Sequence, residues 1–282
     1  MLKLGVPLGR VNPRWFVEVA KAADRLGYES VWLPEHLVLP VEMSRSPYPG
    51  EEHPPVPPET PVFDALAYLS FLAGVTSHVR LGTHVYNLGL RHPFVAARGV
   101  QTLDIVSGGR AIFGIGAGWL ESEWQAVGLD FHRRGRRLDE ALSVCKRLWS
   151  EEVVEHHGEH FDFGPVRFEP KPLQRPWPPI LVGGESTAAL ARAARSAEGW
   201  IGMNHTPESA ARAARSLAEL ARRHGRERPE VTVGGPLRSA EELVDWQEAG
   251  VDRLIVAPWR RSAEAVDGLE ALAQALRLRP PG

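Results

Sequence analysis

The sequence is short of cysteine, of lysine, of long apolar runs and of charge of one sign. Cys145 is the one cysteine in 282 residues. That excludes a disulfide framework and a thiolate metal cluster, and its place in a helical core pattern predicts a small buried side chain. No apolar run reaches the roughly 20 residues of a membrane span. The opening "MLKLGVPLGR" breaks into glycine, proline and arginine too early for a signal peptide. A soluble, cytoplasmic protein is the expectation. The net charge of −2 gives no overall field to recruit nucleic acid or an anionic membrane. Lysine is scarce beside arginine, a bias shared by heat-adapted proteins and GC-rich genomes.

What is present is a regular alternation of strand and helix signals. "KLGVPLG" leads into "NPRWFVEVAKAADRLG", in which Asn12 is placed to cap a helix, Pro13 to open it and Gly27 to end it. "YESVWLPEH" is a near-continuous apolar run, as expected of a parallel strand covered on both faces. The grammar of "RLGYESVWLP" returns in "EAGVDRLIVAP" near the other end. Between them "VRLGTHVYN", "GRAIFGIGAG", "PPILVGG", "GWIGMN" and "EVTVGG" read as further strands, each followed by a helical pattern. Eight strands alternating with eight helices predict an α/β fold, a (β/α)8 TIM barrel formed as a single domain over residues 1–282. A doubly wound sheet would show the same alternation.

Two stretches break the rhythm. Residues 43–61, after the second strand, are crowded with proline and cannot be helix or central strand. They are expected to form a substrate-covering lid or a disordered loop. Residues 151–177 read as an insertion between the fourth helix and the fifth strand, with "HFDFG" and "VRFEP" as short strands.

"SGGRAIFGIGAGW" raises the question of a dinucleotide-binding loop. Such a loop should follow the first strand and open a long helix. Here the glycines follow the fourth strand and lead into a mixed segment, so the Rossmann reading fails. Glycines inside an apolar strand instead let another backbone or a ligand come close.

Several spaced motifs occur in one order: Arg80-Leu81-Gly82-Thr83, His92-Pro93, Leu103-Asp104, Ser107-Gly108-Gly109-Arg110, Gly114-x-Gly116-x-Gly118-Trp119, Glu123 and Arg134-Gly135. With "YESVWLPEH", "PPILVGGEST" and "SAEGW", they resemble the bacterial luciferase-like flavin and deazaflavin oxidoreductases, and within these the branch that uses coenzyme F420. The likeness runs from residue 1 to about 277. It implies hydride transfer between F420 and a small-molecule substrate, with an FMN-dependent monooxygenase as the alternative. A non-catalytic flavin-binding protein is the reading from another class. It also implies a homodimer.

The resemblance assigns the site residue by residue. A bulge with a cis peptide at His84–Val85 would back the cofactor ring, with Thr83 and Asn87 beside it. Gly116, Ala117, Gly118 and Trp119, together with Gly183, Gly184, Glu185, Ser186 and Thr187, would meet the ribityl chain and phosphate. Backbone N–H groups and a helix dipole at "GGEST" suit an anion. His36 closes the second strand, where an imidazole can move a proton near neutral pH. Glu35 and His84 are the other candidates for that role. Arg133, Arg134 and Arg137 of "HRRGRR" could meet the anionic tail of F420. His156, His157 and His160 lie in the insertion with no cysteine partner, so no metal is assigned. "GVPLGR" lacks the H-x-H pair of a barrel metallohydrolase.

Overall fold

The computed structural model describes residues 2–41 and 57–279. The expected lid, 43–61, lies for the most part outside the described residues.

In chain order the strands are β1 (Lys3–Pro7), β2 (Ser30–Leu33), β3 (Arg80–Thr83), β4 (Tyr86–Asn87), β5 (Ala111–Gly116), β6 (Val154–His157), β7 (Asp162–Val166), β8 (Ile180–Gly183), β9 (Gly199–Gly202), β10 (Glu230–Gly234) and β11 (Arg253–Ile255). Nine of these form one parallel sheet in the order β3-β2-β1-β11-β10-β9-β8-β5-β4, and a β3–β5 pairing closes the ring. β3 and β4 are two pieces of one expected strand, parted at a cis His84–Val85 peptide. The result is the closed eight-stranded parallel barrel that the alternation predicts.

The helices are α1 (Phe16–Leu26), α2 (Ala65–Ala73), α3 (Pro93–Val106), α4 (Glu121–Ala126), α5 (Arg134–Ser150), α6 (Thr187–Ser196), α7 (Pro207–Arg223), α8 (Ala240–Glu248) and α9 (Ala265–Leu276). Among the described residues, none is long and apolar enough to cross a membrane. Before α1, Asn12 accepts from the Arg14 amide and Pro13 opens a 3-10 turn, while Gly27 ends the helix at φ +85°. α2 starts at Ala65, because the Asp64 carboxylate caps it by accepting from the Ala67 amide.

The insertion folds as an antiparallel hairpin of β6 and β7, which corrects the two expected strands. Its first strand is "VEHH", and "HFDFG" is split between the turn and β7. The Glu140 carboxylate accepts the amides of His160 and Phe161, which holds residue 160 in the turn and keeps it out of a strand.

Two apolar layers hold the barrel. The larger lies between strands and helices; the smaller fills the interior with Trp32, Ile112, Leu181, Ile201 and Ile255, with Val85 packed against them. Polar groups close the N-terminal end below. Arg253 is 1% exposed and donates to both Glu29 oxygens at 2.7 and 2.8 Å, to Glu230, and to Thr232 at 3.0 Å. Each buried charge there has an opposite partner, the condition under which burial of ions is tolerated.

Candidate functional site

The C-terminal ends of the strands gather the predicted residues. Glu35 and His36 follow β2, the His84–Val85 bond divides β3 from β4, Gly116–Trp119 end and follow β5, and Gly183–Thr187 end and follow β8. β5 pairs directly with β8, so the two glycine segments are neighbours.

Val85 joins them. A Cβ on Gly116 would stand 2.6 Å from Val85 Cγ2, and one on Gly183 would stand 2.7 Å from Val85 Cγ1. Both glycines are required by this side chain, which lies across the top of the barrel. Gly114 serves the same segment lower down: a Cβ there would meet the Thr83 carbonyl at 2.0 Å, and the Thr83 hydroxyl donates to the Gly114 carbonyl at 2.7 Å. The glycine run therefore seats the β3–β4 segment, and the ligand-facing surface is what that segment presents. Ala117 follows with a side chain small enough to leave the bed open, and Gly118 takes φ +76° beside Trp124.

His36 and Glu123 form a pair at the same C-terminal end of the barrel. His36 Nδ1 lies 3.0 Å from Glu123 Oε2. Glu123 Oε1 accepts the Leu37 amide at 2.6 Å and the Val38 amide at 3.4 Å. The Glu123 side chain is fully buried on α4, while that of His36 remains 14% exposed. Trp119 stands edge-on to the imidazole, with ring centroids 6.1 Å apart. The carboxylate fixes the ring through Nδ1, and among the described residues Nε2 has no hydrogen-bond partner, which leaves it for proton exchange.

Glu35, the other acid at this strand end, is turned to structural partners. It accepts the Asn87 amide at 2.8 Å and pairs with Arg91, whose guanidinium also lies 4.3 Å from the Tyr86 ring centre. Burial pushes the Glu35 carboxyl up, and Arg91 opposes the shift. His84 is half-buried as a residue, yet its Nε2 is sealed and has no partner among the described residues. Its ring meets Trp32 edge to face at 6.1 Å, and burial lowers it to about 4, so it stays neutral near neutral pH.

At β8, Gly184 takes φ +120°, its amide donates to the Ile201 carbonyl, and its carbonyl accepts from Trp200 Nε1 at 2.8 Å. Ser186 caps α6 by accepting from the Ala189 amide at 3.2 Å, and Thr187 is the first residue of that helix. Glu185 accepts the Met203 amide at 2.8 Å and meets His205 Nε2 at 3.1 Å.

The structure treats the other clusters differently from the sequence reading. Arg133 pairs with Glu159, Arg134 lies 3.8 Å from the Phe131 ring centre, and Arg137 donates to the Gly89 carbonyl at 2.8 Å. The expected tail-binding arginines are thus largely engaged within the chain. His156 turns to Glu140 and His157 to Asp162, so the histidines do not converge. Cys145 is fully buried, as expected.

Glu123, Arg91 and His205 were not assigned roles from the sequence. Glu123 did carry a signal: an acid inside "WLESEW", on the side of the turn that Leu120 and Trp124 bury.

A planar heteroaromatic cofactor fits these residues. Val85 rests against Gly116 and Gly183, which carry no side chain, and two sealed polar atoms nearby, His84 Nε2 and Trp124 Nε1, have no partner among the described residues. Bound there, a flavin-type group supplies the redox chemistry.

A protein of Mycobacterium tuberculosis with no assigned function is 32% identical over 264 residues, covering 91% of this chain and 92% of its own. The coenzyme F420-dependent tetrahydromethanopterin reductase of Methanopyrus kandleri superposes with a TM-score of 0.77 at 17% identity, covering 98% of each chain. The long-chain alkane monooxygenase LadA gives a TM-score of 0.82 at 16% identity, covering 98% of this chain and 91% of its own. At such identities these two structures establish the fold. The model of the luciferase-like monooxygenase family matches residues 5–245, and the chain belongs to that family.

Proposed function

We propose that the protein is an oxidoreductase that transfers hydride between coenzyme F420 and a small organic substrate at the C-terminal mouth of the barrel. The observation that carries the reading is the His36–Glu123 pair beside the Val85 bed. Adding or removing hydride at a carbonyl or alkene leaves a charge that a proton must quench, and His36 Nε2 is an imidazole nitrogen there without a partner among the described residues. Glu123 orients the ring, Glu35 and Arg91 hold the strand end beneath it, and Trp119 shields it from water. The F420-dependent reductase among the similar structures supports the choice of cofactor.

FMN with oxygen is the second reading. The similar alkane monooxygenase favours it, as does the pairing of Arg133 with Glu159, which neutralises one of the cations expected for a long anionic tail. Titration of the apoprotein with F420 and FMN, each oxidised and reduced, decides between them. Tighter binding of F420 is expected; equal affinities or tighter FMN would move the assignment to FMN.

We also read the protein as a homodimer. Phe71 of α2 and Val95 and Val106 of α3 are exposed at 54%, 62% and 55%, a cost in water that a second copy could remove. Sedimentation of the purified chain as a monomer at micromolar concentration would remove this reading.

A further inference from the structure

We propose that His205 is a positioning residue for the loop that carries Gly183–Thr187, acting through Glu185. The inference rests on the reading of that loop as the contact for the cofactor's phosphate.

His205 follows β9 and is 9% exposed. Its Nε2 lies 3.1 Å from Glu185 Oε2, and its Nδ1 lies 2.9 Å from Ser209 Oγ. An ionised carboxylate only accepts, so the Nε2 edge carries hydrogen whichever way the Ser209 hydroxyl turns. Ser209 is not free to move. With Thr206 it forms the capping box of α7, each side chain bonding the other residue's amide. The Trp200 ring meets the imidazole edge to face at 5.3 Å, and the same indole donates to the Gly184 carbonyl.

The contacts make one path. The seventeen-residue helix α7 fixes Ser209, Ser209 fixes His205, and His205 holds Glu185 from the side opposite the Met203 amide. Glu185 is joined to Gly184, whose φ of +120° only glycine adopts readily. A loop with that backbone has several states open to it unless its next residue is tied down.

The prediction is selective: the tie should matter for ligands that carry phosphate. The experiment compares FMN with riboflavin, and F420 with its phosphate-free deazaflavin core, on wild type, His205→Asn and His205→Gln. Asparagine keeps a donor near Nδ1 but cannot reach Glu185, whereas glutamine places its amide nitrogen close to where Nε2 was. His205→Asn is expected to weaken FMN and F420 roughly tenfold, the scale of one hydrogen bond to a charged group, and to leave the phosphate-free ligands unchanged. His205→Gln is expected to restore most of the loss. Glu185→Ala, a second route should His205→Asn fold poorly, is expected to show the same selectivity. Equal weakening of ligands with and without phosphate, or no recovery in His205→Gln, would overturn the inference and leave the proposed function standing. Failure of wild type to bind either FMN or F420 would overturn both.

Discussion

Val85 occupies the volume that a side chain on Gly183 would need, with its Cγ1 2.7 Å from the position of such a Cβ. Ile201 Cγ2 stands 3.2 Å away on the other side, so the neighbour has little room to retreat. Gly183→Ala is expected to cost roughly 1–3 kcal/mol through overpacking. In a Val85→Ala background the cost should fall, giving a coupling of roughly 0.5–3 kcal/mol in a double-mutant cycle measured by urea unfolding. Simple additivity would mean that something other than Val85 requires the glycine.

His36→Ala is expected to lower turnover by roughly 10²–10⁴-fold, the usual contribution of a positioned acid or base. Cofactor affinity should change much less, because the bed and the β8 loop come from other strands. Retained turnover with lost cofactor binding would make His36 a binding residue and return the proton to His84 or Glu35.

Arg253→Met would leave the partly buried Glu29 without its cation, while Glu230 keeps Lys3. A loss of roughly 1–3 kcal/mol is expected near neutral pH, the cost of leaving a partly buried acceptor without its donor. Burial would raise the Glu29 carboxyl, but the hydrogen bonds and charge of Arg253 bring it below its ordinary value. A carboxylate lowered in the fold contributes stability above its unfolded pKa and loses it as pH falls through the folded one. The gap between wild type and variant should therefore narrow below about pH 4.5. Chemical unfolding at several pH values measures it, and a constant gap would contradict the assignment.

His84 adds a second loss on the acid side, in a higher pH window. Its imidazole titrates at about 4 in the fold against an ordinary value of 6.5. Between those values the unfolded chain binds the proton and the folded chain does not, so stability is complete above the higher value and falls as pH drops toward the lower. The loss is at most about 3 kcal/mol, since part of the residue is open to water. His84→Phe should lose this component, so its stability relative to wild type should improve as pH is lowered from about 7 to about 5. Parallel curves for the two proteins would refute it.

The barrel was legible because its strands are continuous apolar runs such as "SVWL" and "AIFGIG", and because Asn12, Pro13 and Gly27 mark the ends of a helix. The locations of His36 and the two glycine segments followed from their place at strand ends. Their partners did not. Glu123 lies 87 residues from His36 in sequence, and no local pattern couples an acid on a short helix to an imidazole on another strand. The neighbours of the glycines were not legible for a related reason: spacing shows where a side chain is missing, and only packing shows that Val85 fills the space at Gly116 and Gly183. The arginines of 132–137 looked available because their acceptors, Glu159 and the Gly89 carbonyl, come from distant segments.

The closed floor has a kinetic consequence. Arg253 and its two acids seal the barrel below, and Trp32 with four aliphatic side chains fills its middle. The site is a cup with one rim. A cofactor ring resting on Val85 would lie deeper than a substrate that meets it from above, so both must use the same doorway. The deeper ligand then has to enter first and leave last. Steady-state rates should follow a compulsory order, with cofactor first, and a large excess of substrate should inhibit by standing in the doorway of the empty cup.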